Sequence, residues 1–582
     1  MHSESLLDYT CCKEDLSTHI QALKKAHSFV EKERYLDSLG IAKDFFPQRF
    51  PLSAMESYLL KSLIIAGQGR LLLRDEFALK TLLEDLKEVD SFYADVGGIL
   101  GYQALVLEQL SEKKESFSYA PPKAVEIAKE NAAITIGLAN LGEMGEIYPV
   151  GGAAERLHLR DQGSGKGLPA AKLHFLNGNL LEGLIRDLEA REFLYFQKYG
   201  EQLTTPIALM TSNVKQGHAQ ILEILEKNGW FGRGEENFKL FCQPLVPAFD
   251  EKGTWALDSS GDLALKPGGH GVLWKLMESR GVFDWFASLG RSKALVRQIN
   301  NPISGTDYGL LSFMGTGFLQ EKKFGFVTCP PAPNAKEGRI VVAKTERGNF
   351  LSNIEYCAFE RYGIFRTSAF PANANILFVD LEYVREVAKR DPFPGMIVNF
   401  KNGLARLETT MQNIADTIPI EESYLTLHKR RKTLSATKRE YEEGKGLLET
   451  PLGALFDYLQ NGAELLRDVC GMEIPEFESE EEFVKSGPAF LFQYHPALGP
   501  LYCDIAKKII GGRLERGSEL QLEISNLLLE NLHLKGNLQI QSQFVTGHVH
   551  HNRLCFSDRR AKCIMRHVKI EGSLTVILEE NS

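Results

Sequence analysis

The run Ile147-Tyr148-Pro149-Val150-Gly151-Gly152 places a short apolar segment ahead of a glycine pair. An amphipathic stretch from Leu180 to Tyr199 follows, and then a second apolar run from Thr205 to Ser212. Strand, helix, strand in that order is the unit from which parallel sheets are built. The same alternation continues outward. A helical pattern covers Lys215 to Asn228, and Phe238 to Cys242, Ala294 to Ile299 and Phe324 to Cys329 read as further strands. Between Lys123 and about Gln460 the pattern therefore predicts an α/β fold with a mainly parallel, mixed sheet and helices on both faces.

The flanks read differently. From Lys13 to Glu115 apolar residues recur at helical spacing, as at Leu82, Leu83, Leu86 and Val89, so a helical region is expected. Ser116 to Pro122, with its Pro-Pro pair, reads as a linker. After about Ala463 the series Leu520, Leu522, Ile524, Leu527, Leu529, Leu532, Leu534 and Ile540 suggests short strands of a small β-solenoid. The expected division is thus 1–120 helical, 121–460 α/β and 461–582 β-rich.

A chain of 582 residues exceeds the size of one hydrophobic core, and 43% hydrophobic with 25% charged residues is an ordinary globular balance. The net charge of -9 argues against a general affinity for nucleic acid. The nine cysteines are scattered without a CxxC pair, which predicts reduced thiols rather than a disulfide framework or a zinc ribbon. Met1 to Glu14 lacks both the apolar core of a signal peptide and the Arg/Ser-rich pattern of a transit peptide. No apolar run approaches the roughly 20 residues of a membrane span. A cytoplasmic location with no membrane partner is the expectation.

Gly151-Gly152-Ala153-Ala154-Glu155-Arg156 follows the first strand of the α/β region, where glycines let a nucleotide approach the backbone and an arginine reaches its phosphates. A tight turn without a ligand has the same signature. Gly163 to Gly167 lacks the spacing and the hydroxyl residue of a P-loop. Polar or glycine-rich segments then recur near expected strand ends: Gln243-Pro244, Pro267 to Gly271, Asn300-Asn301 to Asp307, Ile354 to Tyr356, and Asn373 to Asn375. Open α/β sheets bind ligands at the carboxyl ends of their strands.

In their order these segments resemble the UDP-glucose and UDP-N-acetylhexosamine pyrophosphorylases, the eukaryotic-type uridylyltransferases. The plant plastidial branch has near-identical counterparts of Leu180 to Leu188 and of Trp230 to Gly234. The resemblance covers roughly Lys123 to Gln460. It implies a Rossmann-like nucleotidyltransferase core of the glycosyltransferase-A kind, which joins UTP and a hexose 1-phosphate, glucose 1-phosphate first, into a UDP-sugar and pyrophosphate.

Residue by residue, the resemblance implies catalytic roles for Arg156, Lys172 and Lys401, the last in Ile397 to Lys401 followed by Leu407-Glu408-Thr409. Gly151, Gly152, Gln243, Gly269 and His270 correspond to nucleotide-binding positions, with Gln243 reading uracil. Lys336, Glu355, Asn373 and Asn375 correspond to sugar-contacting positions. Mg2+ is the implied cofactor, at Asn300 and Asp307, although Asn300 stands where the family has an acidic ligand. An amide offers oxygen to magnesium without negative charge.

The basic run His428 to Lys432 reads as a solvated face, with Arg431 or Lys438 bordering the phosphates as the alternative. His548, His550 and His551 lack a neighbouring acid or thiol at ligand spacing and read as surface residues. Besides the glucose enzyme, the sequence leaves open a UDP-N-acetylhexosamine pyrophosphorylase, a catalytically silent nucleotide-sugar binding protein, and self-association through the C-terminal region.

Overall fold

The computed structural model describes residues 13–40, 52–73, 75–111, 118–127, 132–152, 155–346, 348–360 and 369–579. Cys11, Cys12, Ala153 and Ala154 lie outside them. The chain forms two compact units that do not run in chain order. One comprises Met1–Ser116, Gln243–Val272 and Phe393–Met411; the other comprises Phe117–Cys242, Leu273–Pro392 and Gln412–Ser582.

In the first unit, helices Phe29–Ser38, Ala54–Ile65, Glu76–Phe92 and Gly98–Leu110 carry the segment 243–272 on polar ties. The indole of Trp255 donates to Gln103 Oε1 at 2.8 Å, while the amides of Gln68 and Gln103 both donate to the Gly253 carbonyl. Tyr102 donates from its hydroxyl to the Pro247 carbonyl. These side chains are buried, so each polar group needs such a partner.

Among the described residues the second unit is built on an 11-stranded sheet: β1 Ser118–Ala120, β2 Val125–Glu126, β3 Met144–Pro149, β4 Ile207–Thr211, β5 Phe238–Cys242, β6 Lys293–Arg297, β7 Phe324–Cys329, β8 Arg339–Thr345, β9 Gly348–Ile354, β10 Ala372–Asp380 and β11 Ser423–Leu427. The main order is β2-β11-β7-β10-β6-β3-β4-β5, and β8 joins β1, β9 and β10. Strands β6, β3, β4 and β5 run parallel, as do β7, β11 and β2; β10 lies antiparallel between β6 and β7. Residues 118–120, expected in a linker, pair instead with β8, because an extended segment beside an open edge satisfies its own backbone there.

The helix Leu180–Tyr199 has the bounds read from sequence. Asn179 caps the Glu182 N–H, Glu182 returns the bond to the Asn179 N–H, and Gly200 ends the helix with φ +75°. The C-terminal strands Leu491–Tyr494, Ile509–Leu514, Glu519–Glu523, Leu527–Ser542, Cys563–Arg566 and Lys569–Leu578 pair in parallel. Their inward leucines and isoleucines, from Leu520 to Ile540, form one buried cluster.

Two glycines bring helices Ala132–Ala139 and Gly309–Leu319 into backbone contact. A Cβ at Gly315 would fall on the Ala133 carbonyl, and one at Gly137 on the Leu311 carbonyl. Neither carbonyl can move without breaking its helix. Gly315→Ala should therefore lower stability by about 3 kcal/mol, the upper range of overpacking. Denaturant unfolding measures it, and an unchanged midpoint would refute this close approach.

Candidate functional site

Strand β10 begins beside the carboxyl ends of β7 and β6: Ala372 pairs with Cys329, and Ile376 with Arg297. Within it Asn375 has φ +55°, and the register with β7 shifts between Phe326 and Thr328. Asparagine tolerates this left-handed conformation better than most residues, and such irregularities re-aim side chains. Here the irregularity sets Asn373 and Asn375 on a cavity of about 430 Å³ that Asn300 and Gln298 also line. Asn375 Nδ2 donates to Gln298 Oε1 at 3.3 Å, and its Oδ1 accepts from Gln412.

A strap at 433–440 closes one side of this cavity. Thr437 donates from its N–H to the Asn300 carbonyl at 2.7 Å, and the Asn301 side chain donates to the Thr433 carbonyl at 2.7 Å. Glu440 donates from its N–H to the Arg156 carbonyl at 3.0 Å, which ties the turn after β3 to the strap. Arg156 itself is exposed. Its charge acts on Tyr356, whose phenol burial pushes up and Arg156 pulls down. Gly152 is exposed and a Cβ there would meet nothing, so packing does not demand glycine at that position.

The cavity's cations already face carboxylates. Arg430 donates to Glu337 at 2.7 Å through Nη2, Arg431 to Glu464 at 2.8 Å, and Lys438 to Glu449 at 2.8 Å. Lys438 also donates to the carbonyl of Lys336 at 3.0 Å, which holds that exposed residue at the cavity's margin. The solvated face expected over His428 to Lys432 is thus corrected: His428 and Lys432 are buried, and Arg430, Arg431 and Lys438 line the cavity. His428 stays buried after β11, its N–H donating to the Thr328 carbonyl at 2.9 Å, and Arg430 in the turn that follows reaches Glu337.

Other expected residues lie elsewhere. Lys172 is not among the lining residues; its ammonium pairs with Glu223, whose carboxyl is pulled down to about 2 by hydrogen bonds from Lys172 and Lys227. Asp307 does not join Asn300. It lines a separate cavity of about 130 Å³, accepts the Tyr502 N–H at 3.0 Å through Oδ1, and faces Lys432 at 3.5 Å through Oδ2. With one carboxylate committed to protein partners and one amide in another cavity, these residues do not fit a protein-held magnesium site. Among the described residues no group of three or more His, Cys, Asp or Glu is placed to hold a metal.

Gln243, Gly269, His270 and Lys401 belong to the other compact unit. Gln243 is buried. Gly269 has φ +88°, and a Cβ there would meet the backbone of Thr409, so only glycine fits between the two segments. His270 accepts the Met411 N–H at 3.0 Å through Nδ1, a bond only an unprotonated nitrogen makes, and desolvation pushes its pKa down to about 4. Lys401 is exposed at a turn in which its N–H and carbonyl both bond Leu404, next to the hairpin of Ile397–Val398 with Leu407–Glu408.

Residues 185–420 match the family model described as UTP-glucose-1-phosphate uridylyltransferase, and residues 509–573 match UGP3-like C-terminal hexapeptide repeats. The segment matched to the uridylyltransferase model includes Asn300, Glu337, Asn373 and Asn375 of the cavity. The chain is 38% identical over 576 residues to UTP-glucose-1-phosphate uridylyltransferase 3, chloroplastic, of Arabidopsis thaliana, across 86% of this chain and 65% of that protein. It is 23% identical to a UDP-sugar pyrophosphorylase of Oryza sativa subsp. japonica, across 59% of this chain and 61% of that one. The chain thus spans under two thirds of the length of either relative.

The fold also matches the crystal structure of a uridine diphosphate N-acetylglucosamine pyrophosphorylase from Trypanosoma brucei with TM-score 0.59. The identity is 15%, over 79% of this chain and 95% of that one. The mixed α/β architecture with a C-terminal β-rich region agrees with the sequence reading. The cytoplasmic location does not stand, because the Arabidopsis relative is a chloroplastic protein by its name. No helix among the described residues is long and apolar enough to cross a membrane.

His428 supplies a test of the buried run beneath the cavity. Burial pushes its pKa down to about 3, against about 6.5 in an unfolded chain. Between those values the unfolded state binds a proton that the folded state refuses, so stability falls as pH drops through 6.5 and levels off below about 3. The slope is about 1.4 kcal/mol per pH unit for one such group. His428→Gln should flatten the fall in melting temperature between pH 7 and pH 4; an identical slope in the variant would show that His428 does not carry it.

Proposed function

We propose that this chain is a uridylyltransferase that makes a UDP-sugar and pyrophosphate from UTP and a hexose 1-phosphate, with glucose 1-phosphate the preferred substrate. The observation that carries this reading is the asparagine-lined cavity at the carboxyl ends of β6 and β7, within and beside the matched domain. Open α/β sheets bind nucleotides and their partners at that edge. Amide side chains fixed by further amides suit the hydroxyls of a sugar, since a site built to bond hydroxyls rejects a mismatch strongly.

The reaction needs no side-chain nucleophile. A phosphate oxygen of the sugar attacks the α-phosphorus of UTP, the bond to the bridging oxygen breaks, and pyrophosphate leaves with its electron pair. Positioning and charge neutralisation do the work. Gln243 reads uracil beside Gly269 and His270, and Gly151 with Gly152 gives the phosphates access to backbone. Arg156 and Lys401, both exposed, supply positive charge. Lys172 contributes only where phosphate outcompetes Glu223. Asn373, Asn375, Glu355 and Lys336 contact the sugar. Magnesium enters as part of the UTP complex, which is substrate, and Asn300 presents an amide rather than a charge. Copies of the chain associate through the C-terminal repeats.

Pyrophosphate release measured across UTP, ATP, glucose 1-phosphate and N-acetylglucosamine 1-phosphate tests the reading. UTP with glucose 1-phosphate should give the highest kcat/KM. Gln243→Ala should raise KM for UTP, and Lys401→Ala should lower kcat about a hundredfold at unchanged melting temperature. Equal use of ATP would remove the uracil-reading role, and UTP binding without pyrophosphate would favour a silent nucleotide-sugar binding protein.

A further inference from the structure

Asn353 stands near the end of β9 and is 3% exposed. Its side-chain amide is used at both ends. Nδ2 donates to Glu355 Oε1 at 2.7 Å, and Oδ1 accepts from Asn373 Nδ2 at 3.0 Å. The Asn353 carbonyl in turn accepts from Asn413 Nδ2 at 3.0 Å. Across the β8–β9 hairpin, a Cβ at Gly338 would fall on the Asn353 amide, so glycine there leaves the amide its space. Gly338 also accepts the Asn373 N–H at 3.0 Å, and Asn373 Oδ1 accepts the Asn375 N–H at 2.9 Å. One buried amide thus links a carboxylate to the asparagine pair of the cavity.

We propose that Asn353 is a positioning residue for sugar recognition: it sets the spacing of the Glu355 carboxylate and the Asn373 amide, and so selects which pattern of sugar hydroxyls is accepted. The proposal rests on the reading that Glu355 and Asn373 contact the sugar. An asparagine suits the task because it offers a donor at one end and an acceptor at the other. Aspartate has nearly the same shape but only acceptors when ionised, and it would place a second negative charge beside Glu355. Serine is too short to reach both partners. A core that needed only filling would be served by an apolar residue, whereas a buried polar network rewards only complete pairing.

The test compares the parent protein with Asn353→Asp and Asn353→Ser, the second standing in where the first does not fold. Steady-state rates are taken with UTP and either glucose 1-phosphate or galactose 1-phosphate, and calorimetry follows binding of UDP-glucose and of UTP. Both variants should raise KM for glucose 1-phosphate roughly tenfold, the scale of one mispaired polar contact. The KM for UTP should stay unchanged, and the preference for glucose over galactose 1-phosphate should narrow. UDP-glucose should bind correspondingly more weakly while UTP binding is kept. Equal changes toward both substrates, or no change in sugar preference, would overturn the proposal. A parent protein that binds UDP-glucose without turnover would remove the reaction assignment while the binding ratio still judges Asn353. A parent that binds neither ligand would overturn both.

Discussion

Strand β10 runs against its neighbours, and the cavity depends on that reversal. Its ladder bonds join β6 to β7 and close a gap between two sets of parallel strands. Because it is antiparallel, its first residues arrive where the strands beside it finish. Side chains from the start of one strand and from the loops after its neighbours therefore share one edge. The left-handed Asn375 then turns the amides of the Asn373–Asn375 segment toward that edge, at a conformational cost that Gln298 and Gln412 offset through hydrogen bonds.

The cations that line the cavity are paired before any ligand arrives. Arg430, Arg431 and Lys438 each hold a carboxylate, and Glu337 is buried beneath Arg430. Removing one partner of such a pair would leave an uncompensated charge in a partly dry site. The pairs thus fix the loops around the amides, whereas Arg156 stays exposed. The same consideration separates Asn300 from Asp307. The amide can face a cavity alone, whereas the carboxylate is held by Lys432 and a backbone N–H.

Much of the fold was legible because its signals are local. The capping box at Asn179 and Glu182, with Gly200 at the far end, bounds the helix Leu180–Tyr199 within a few residues of chain. The runs Phe238–Cys242 and Phe324–Cys329 are strands as read, since a buried parallel strand needs only a short apolar segment. The alternating leucines after Leu520 pointed to a solenoid for the same reason: side chains two apart share a face whatever lies beyond them.

What the sequence by itself determined is therefore the set of elements, their order, and the segments that meet at strand ends: Gly151 and Gly152, Asn300, and Asn373 with Asn375. Tertiary structure alone decided the pairings. Lys172 with Glu223 spans 51 positions, Asp307 with Tyr502 spans 195, and Asn353 with Asn373 crosses from one strand to another. It also decided that Gln243–Val272 and Phe393–Met411 pack with the N-terminal helices. Residue type states which bonds a side chain is able to make. Which partner it meets depends on where distant strands bring their ends, and on the cost of leaving any buried polar group unpaired.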